Sequence, residues 1–378
     1  MDLLTSSIEL ILKYQDKSGA YVASPNFPTY HYCWLRDGSF IAYSMDLSGQ
    51  FESSDRFYRW VGKVVNRYAG KVDVLASQLK QGKKPDNNGI LNTRFTLDGV
   101  EEGDNGWGNF QVDGYGSWLW GLAEHVKLSG DTSLLADLVQ PIETTIQYLK
   151  LVWKLPNYDC WEEHPNYLHP YSLATTYGGL AAMLELQSSG ALRLPDLGIP
   201  ALLSEIKAFL KQNATYQGTF TKHILPSTDG KSYLPDAKSG VDSSLLGLAV
   251  PYAAFDLNDP TVQKTIQAIE KNLWFSGGGV FRYKADVYYG GGEWVLLAGW
   301  LGWHFILTGE LEKAIKLQAW IESVASPTGD LPEQVSEHLL APSKEAHWIK
   351  EWGPVATPLL WSHAMYIILS KNIQRATK

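Results

Sequence analysis

The stretch NYDCWEEHP, residues 157–165, sets two neighbouring carboxylates, Glu162 and Glu163, directly behind Trp161. A carboxyl that must give up a proton near neutral pH has to resist ionising. An apolar ring beside it does this by disfavouring the charged form. The adjacency predicts that Trp161 raises the pKa of Glu162, with Glu163 and Asp159 adding to the effect as negative neighbours. One acid is half of a site, and three other stretches hold groups that could complete it. PTYHYCWLRDGSF carries Tyr30, Trp34, Arg36 and Asp37; DNGWGNFQVDGYGSW carries Trp107, Gln111 and Asp113; TGDLPEQVSE carries Glu333. Singly, each has an ordinary explanation. Arg36–Asp37 could be a structural ion pair, Glu162–Glu163 a hydrated loop pair, and Glu333 a carboxylate at a helix start. Jointly they fit no such explanation. The chain has 15 Trp and 20 Tyr, many in glycine-rich polar stretches rather than apolar runs. Flat rings beside polar groups suit a ligand with apolar faces and many hydroxyls, which describes a sugar.

Helical periodicity supplies the elements that must hold these groups. Leu4, Ile8, Ile11 and Leu12 follow the i, i+4, i+7, i+8 pattern, and Gly19 sits where a cap would. Similar patterns predict helices over 38–48, 53–80, 112–128, 131–153, 171–187, 200–213, 240–254, 260–272, 291–308, 310–325 and 357–372, about twelve in all. Strand patterns are scarce; GTFTKHIL and GGVFRYKADVYY could each form a short hairpin strand. Long loops rich in Trp, Tyr and Phe follow alternate helices, and loops of that length in a compact domain are usually functional. The pattern predicts six helical hairpins in a ring, with the inner helices' N-termini and the long loops gathered at one end. No composition shift divides the chain, so one domain over 1–378 is expected.

Composition narrows the class further. A net charge of −8 without a basic stripe argues against nucleic acid as a partner. No run reaches 18 apolar residues, so no membrane partner is expected. The first residues lack the marks of a signal peptide, which points to a cytoplasmic location. Two cysteines and no HExxH or CxxC pattern predict neither a disulfide framework nor a metal site, and no organic cofactor is implied. A monomer or weak homo-oligomer is expected.

Six segments in order give the chain a resemblance. YHYCWLRD, WGNFQVDG, DCWEE, FRYKADVYYGGGEW, LPEQ and PLLWSHAMY resemble the segments of the glucoamylase-type inverting glycoside hydrolases, family 15. The resemblance implies an all-α (α/α)6 barrel, in agreement with the helix count. It implies Glu162 as general acid and Glu333 as general base, about 6.5–9.5 Å apart so that a water fits between base and sugar. It implies that Tyr30, Trp34, Arg36, Asp37, Trp107, Arg282 and Trp294 line the substrate, that Glu163 binds the leaving sugar, and that Asp159, Trp161, Gln111 and Asp113 support them from behind. Gln334 and Tyr30 are candidates to keep Glu333 ionised. The partner would be a small α-linked glucoside such as isomaltose, maltose or trehalose. Some members of the family carry an N-terminal β-sandwich, which is not expected here because the first helix begins at residue 2 or 3. Cys160 and the pair Asn109–Phe110 take variable positions of these segments, where the leaving sugar is expected. A trehalase of the same family and a non-catalytic sugar-binding module are the alternatives. His363, on an apolar helix, reads as a core histidine.

Overall fold

The computed structural model describes residues 2–102, 107–276 and 278–378. Its helices are α1 (Leu3–Tyr14), α2 (Leu35–Leu47), α3 (Phe51–Tyr68), α4 (Gly70–Lys80), α5 (Asp113–Ser129), α6 (Ser133–Val152), α7 (Pro170–Ser188), α8 (Ile199–Asn213), α9 (Pro260–Leu273), α10 (Val295–Leu307), α11 (Leu311–Ser323), α12 (Glu345–Trp352) and α13 (Leu360–Ala376). Local chemistry starts several of them. The Asp2 carboxylate accepts the Thr5 N–H at 3.0 Å ahead of α1, and Asp259 accepts the Thr261 N–H at 2.8 Å with Pro260 as the first helical residue of α9.

Six elements close an inner ring: α2 packs on α5, α5 on α7, α7 on the 3-10 helix Ser243–Leu248, that segment on α10, α10 on α13, and α13 back on α2. Each inner member has an outer partner: α3, α6, α8, α9, α11 and, for α13, the first helix α1. This is the (α/α)6 barrel that the helix count predicts. The ring is tight. A Cβ on Gly116 of α5 would stand 2.1 Å from the Thr175 carbonyl oxygen of α7, so the two backbones touch where only glycine leaves room. His363 of α13 accepts the Leu331 N–H at 3.0 Å and bonds Ser7 Oγ of α1 at 2.9 Å. It is a satisfied core histidine that ties the last helix to the first.

Three expectations change. The periodic run 53–80 is two helices, because Gly70 interrupts the pattern; Ala69 keeps helical angles, so the break is a kink and not a loop. The helix expected over 240–254 contracts to the six-residue 3-10 turn. Asp242 starts it by accepting the Ser244 N–H, and Pro251 has no N–H to extend it. GTFTKHIL does enter short strand pairs, Thr215–Tyr216 with Thr219–Phe220 and Ile224–Pro226 with Tyr233–Pro235. Over GGVFRYKADVYY only Val280 bridges neighbouring backbone, at Trp274 and Trp294. Among the described residues, strands occur only as such two- and three-residue pairs, and no helix is long and apolar enough to cross a membrane.

The site end of the ring is where inner helices begin. Trp34 precedes α2, Asp113 opens α5, Trp294 precedes α10 and Leu359 precedes α13. Two strand pairs pin the long loops there: Trp34 opposite Arg94, and Trp294 opposite Gln334.

The close α5–α7 contact generates a test. At an open helical site Gly→Ala gains up to about 1 kcal/mol from helix propensity. Gly116→Ala should instead cost about 1–3 kcal/mol or more through overpacking. Thermal and urea melts decide the sign, and an unchanged or raised midpoint would show that the helices do not touch there.

Candidate active site

The segment that carries Glu162 and Glu163 is a loop closed on itself. The Asp159 carbonyl accepts the Glu162 N–H at 2.9 Å, and the Asp159 N–H donates to the Glu163 carbonyl at 3.0 Å. Asp159 Oδ1 accepts the N–H groups of Trp161 at 3.0 Å and Glu163 at 2.8 Å. Gln111 clamps the loop from below: its Nε2 donates to the Asp159 carbonyl while its Oε1 accepts from Thr93 at 2.7 Å. The turn forces Glu162 into the left-handed region, φ +64°, which a residue with a Cβ adopts only when its surroundings compel it. Glu162 and Glu163 consequently point to different places.

Glu162 meets Trp34, whose indole N–H donates to its Oε1 at 2.5 Å. Burial in the cavity raises its pKa above the usual 4.5, against Arg94, Arg36 and the Trp34 and Trp107 donors, which lower it. This corrects the expectation for Trp161. The Trp161 indole lines the same cavity, but its own contacts are with Asp242, to which it donates at 3.0 Å, and with Trp294, centroids 5.5 Å apart, while the direct donor to Glu162 is Trp34. The charges that act most strongly on Glu162 are cationic, not the carboxylates that sequence proximity suggested.

Glu163 has the opposite surroundings. Tyr283 donates to it at 2.5 Å, and Arg282 and Lys222 each lie 3.5 Å away. Burial opposes its ionisation, but Arg282 and Lys222 outweigh that and hold its pKa below 4.5. Arg282 is itself fixed by Asp286, with Nε to Oδ2 at 2.7 Å.

Glu333 lies between two backbone anchors: its N–H donates to the Ala356 carbonyl at 3.0 Å, and its carbonyl accepts the Val295 N–H at 3.3 Å. Only 4% of it is exposed. Tyr30 donates to its Oε1 at 3.2 Å, and the Tyr30 hydroxyl is held by Tyr288 at 2.6 Å. Burial pushes the carboxyl up to about 8, against Arg282 and the Tyr30 bond, which pull it down. Gln334 does not contribute the donor expected of it. Its Oε1 accepts the Gly292 N–H and its backbone pairs with Trp294, so the side chain serves the strand pair.

Arg36 and Asp37 sit in the first turn of α2. Arg36 bonds Asp113 at 3.0 Å across to α5 and approaches Asp37 at 3.2 Å. Burial pushes Asp37 up to about 6, with Arg36 countering it. Among the described residues, Asp37 Oδ2 and Glu333 Oε2 are buried without a hydrogen-bond partner. Buried acceptors of that kind are costly unless something donates to them.

These groups share one cavity of about 680 Å3, the size of a small-molecule site. Its walls include Tyr30, Trp34, Arg36, Asp37, Trp107, Trp161, Glu162, Glu163, Arg282, Trp294 and Glu333, so the structure brings together every expected catalytic and sugar-facing side chain. Asp159, Gln111 and Asp113 stand behind them as supports. Cys160 lines the cavity, whereas Asn109 and Phe110 lie outside its lining, Phe110 packing on the core. Sequence reasoning missed Arg94, Lys222, Tyr288 and Tyr283. Arg94 stacks 3.9 Å from the Trp107 ring centroid. Its sole sequence signal is a charge within an uncharged run, and its place is set by a strand pairing with Trp34 that sequence spacing does not reveal. Lys222, 4% exposed at its side chain, lies 3.3 Å from Asp242, 3.5 Å from Glu163 and 3.9 Å from Asp159. Asp159, His169 and His223 also cluster, but the two imidazoles bond each other at 3.2 Å and the cluster faces the Lys222 cation.

The sequence pattern of glycosyl hydrolases family 15 matches residues 2–346. An isomaltose glucohydrolase of Kribbella flavida is 39% identical over 98% of this chain and 92% of its own length. An uncharacterized glycosyl hydrolase of Methanocaldococcus jannaschii is 30% identical over 93% of this chain, which spans only 53% of that relative. A trehalase of Sulfolobus acidocaldarius is 24% identical over 82% of the chain and 51% of its own length. Among solved structures, a glycosidase in complex with glucose superposes with a TM-score of 0.89 at 38% identity, covering 98% of this chain and 96% of that one. A bacterial glucoamylase bound to acarbose shares the fold, with a TM-score of 0.71 at 21% identity, covering 98% of this chain and 55% of that one.

Lys222 offers a test of how the acid loop is held. Lys222→Met removes the cation shared by buried Asp159 and Asp242 and part-exposed Glu163, which should cost up to about 3–5 kcal/mol at pH 7. In the parent protein Glu163 has a folded pKa below 4.5, so its share of stability is present above pH 4.5 and lost as pH falls through the folded value. The difference between parent and variant should therefore shrink below pH 4.5. Urea melts at pH 7 and pH 4 measure it, and a pH-independent difference would mean that Lys222 acts through packing alone.

Proposed function

The chain belongs to glycosyl hydrolases family 15, and from that premise we propose that it is an exo-acting, inverting hydrolase of small α-linked glucosides, isomaltose foremost. The observation that carries the reading is the pairing of a cavity-facing carboxyl hindered from ionising, Glu162, with a second carboxyl, Glu333, that shares the cavity and is bonded to Tyr30. Two carboxyls flanking a glycosidic bond suffice for hydrolysis.

Each residue then has a duty that its surroundings support. Glu162, whose burial resists ionisation, donates its proton to the leaving glycosidic oxygen, and the Trp34 indole N–H orients the carboxyl and stabilises the carboxylate that forms. Glu333 accepts a proton from water as that water's oxygen bonds the anomeric carbon on the opposite face. A base with a pKa close to the working pH combines adequate ionisation with proton affinity. Asp37 Oδ2 accepts from a hydroxyl of the non-reducing glucose, and Arg36 donates beside it. A floor filled by these charged groups leaves no space for a further sugar on that side, which makes the action exo. Glu163, held as a carboxylate by Tyr283 and Arg282, accepts from the leaving sugar. The product from an α-linked substrate is β-glucose.

Glu162→Gln and Glu333→Gln should each lower kcat by about 10²–10⁴-fold while glucose binding persists. Proton NMR on isomaltose, maltose, nigerose and trehalose, recorded before mutarotation, should show β-glucose first. Early α-glucose would mean retention and would overturn both roles; fastest turnover of trehalose would favour the trehalase reading. The pH profile carries a further expectation. Because the base works ionised and its pKa is pushed toward 8, kcat/KM should fall on acidification with a limb well above 4.5. A limb at or below 4.5 would show that burial does not raise Glu333 in the working enzyme, and the Glu333→Gln variant then decides whether it is the base.

A further inference from the structure

The helix α12 has no buried residue, yet two of its side chains reach the cavity. Trp348 and Trp352 are four positions apart, hence on one face of the helix. Trp348 is fixed in place: its indole N–H donates to the Val287 carbonyl at 2.9 Å, and its ring meets Tyr288 edge-on with centroids 5.0 Å apart. Through Tyr288 it adjoins the Tyr30–Glu333 pair. Trp352, one turn further on, lines the same cavity while remaining 45% exposed. A half-exposed tryptophan on a cavity wall leaves a large apolar face in water, which folding alone does not reward.

Exposure along the cavity orders its two ends. Arg36 and Asp37 are 5% and 6% exposed and close the inner end. Trp352 marks the open end. A glucoside whose non-reducing sugar sits on the charged floor must pass its remaining part by this rim. The hydroxyl-poor face of a pyranose is apolar and stacks on an indole, as other flat or apolar faces do. We propose that Trp352, carried on α12, the helix that Trp348 anchors to the Val287 carbonyl, is the platform for the leaving sugar and so a specificity determinant for disaccharides over shorter substrates. The assignment rests on the α-glucoside hydrolase reading and adds the residue that recognises the departing half. Glu163 supplies the polar side of that subsite and Trp352 the apolar side, the two kinds of contact that a sugar requires.

The test compares two substrates that share the glucosyl unit and differ in what leaves. α-Glucosyl fluoride has no leaving sugar; isomaltose has one. Trp352→Ala should lower kcat/KM for isomaltose, or for whichever disaccharide the parent prefers, by about tenfold, mostly through KM, and change α-glucosyl fluoride hydrolysis by less than about twofold. Trp352→Tyr, which keeps a ring, should recover most of the loss. Equal losses on both substrates would overturn the assignment, since they would place Trp352 at the glucosyl unit or in the scaffold. Unchanged disaccharide kinetics would overturn it as well, while leaving the hydrolase reading intact. A parent protein that cleaves neither substrate nor any other α-glucoside would overturn the reading beneath it, and the platform with it.

Discussion

The backbone turn at Glu162 governs the site. Two consecutive carboxylates on an extended or helical chain would share solvent and repel each other. The Asp159 carboxylate gathers two backbone N–H groups of its own loop and holds Glu162 at φ +64°, so that Glu162 and Glu163 leave the chain in different directions. One enters a pocket lined by indoles where ionisation is resisted. The other enters a cluster of Arg282, Lys222 and Tyr283 where ionisation is favoured. Chemically identical neighbours thereby acquire opposite protonation preferences, which is how a protein assigns separate tasks to two carboxyl groups. The strain of a non-glycine residue in that region is sustained because the loop is bonded on every side, from Gln111 beneath to Lys222 beside it.

The barrel makes that loop rigid. Inner helices begin at the site end, and their first residues are chemical as well as structural. Asp37 and Asp113 occupy first turns, where unsatisfied N–H groups favour negative charge, and Arg36 lies between the two carboxylates. Arg36, Asp37 and Asp113 are nearly inaccessible, so their mutual pairing keeps three charges away from bulk water at tolerable cost. The same arrangement leaves Asp37 Oδ2 facing the cavity with the Arg36 guanidinium 3.2 Å away and no hydrogen bond among the described residues.

Strand pairs only two residues long do work out of proportion to their size. Trp34 opposite Arg94 brings the indole donor of Glu162 beside the guanidinium that stacks on Trp107. Trp294 opposite Gln334 sets Glu333 one residue from a fixed register. Each pair joins the start of an inner helix to a long loop, so the Glu162 side and the Glu333 side are both referenced to the ring. The loop after Glu333 then continues into α12, whose tryptophans extend the base-side wall toward solvent.

The helical ring and the cast of the site were legible in the sequence, because 3.6-residue periodicity survives in helices that bury one face and because charged and aromatic residues in otherwise apolar or glycine-rich loops need a reason to be there. The gathering of Tyr30, Arg36, Asp37, Glu162, Arg282 and Glu333 in one cavity followed from the family resemblance that six ordered segments carry. Periodicity faltered where no periodic signal exists: at the kink before Gly70, at the buried 3-10 turn that replaces a full helix, and in the loop helix α12. The identity of the neighbours that tune each group was decided only by the tertiary structure. Sequence adjacency nominated Trp161 for Glu162, and the fold supplied Trp34 from 128 positions away in the chain. Adjacency nominated Gln334 for Glu333, and the fold turned that side chain to Gly292. Residue types and their order determine which chemistry the chain is equipped for. Protonation depends on burial and on charges within a few ångströms, and those distances exist only once loops distant in sequence have been folded against the same ring.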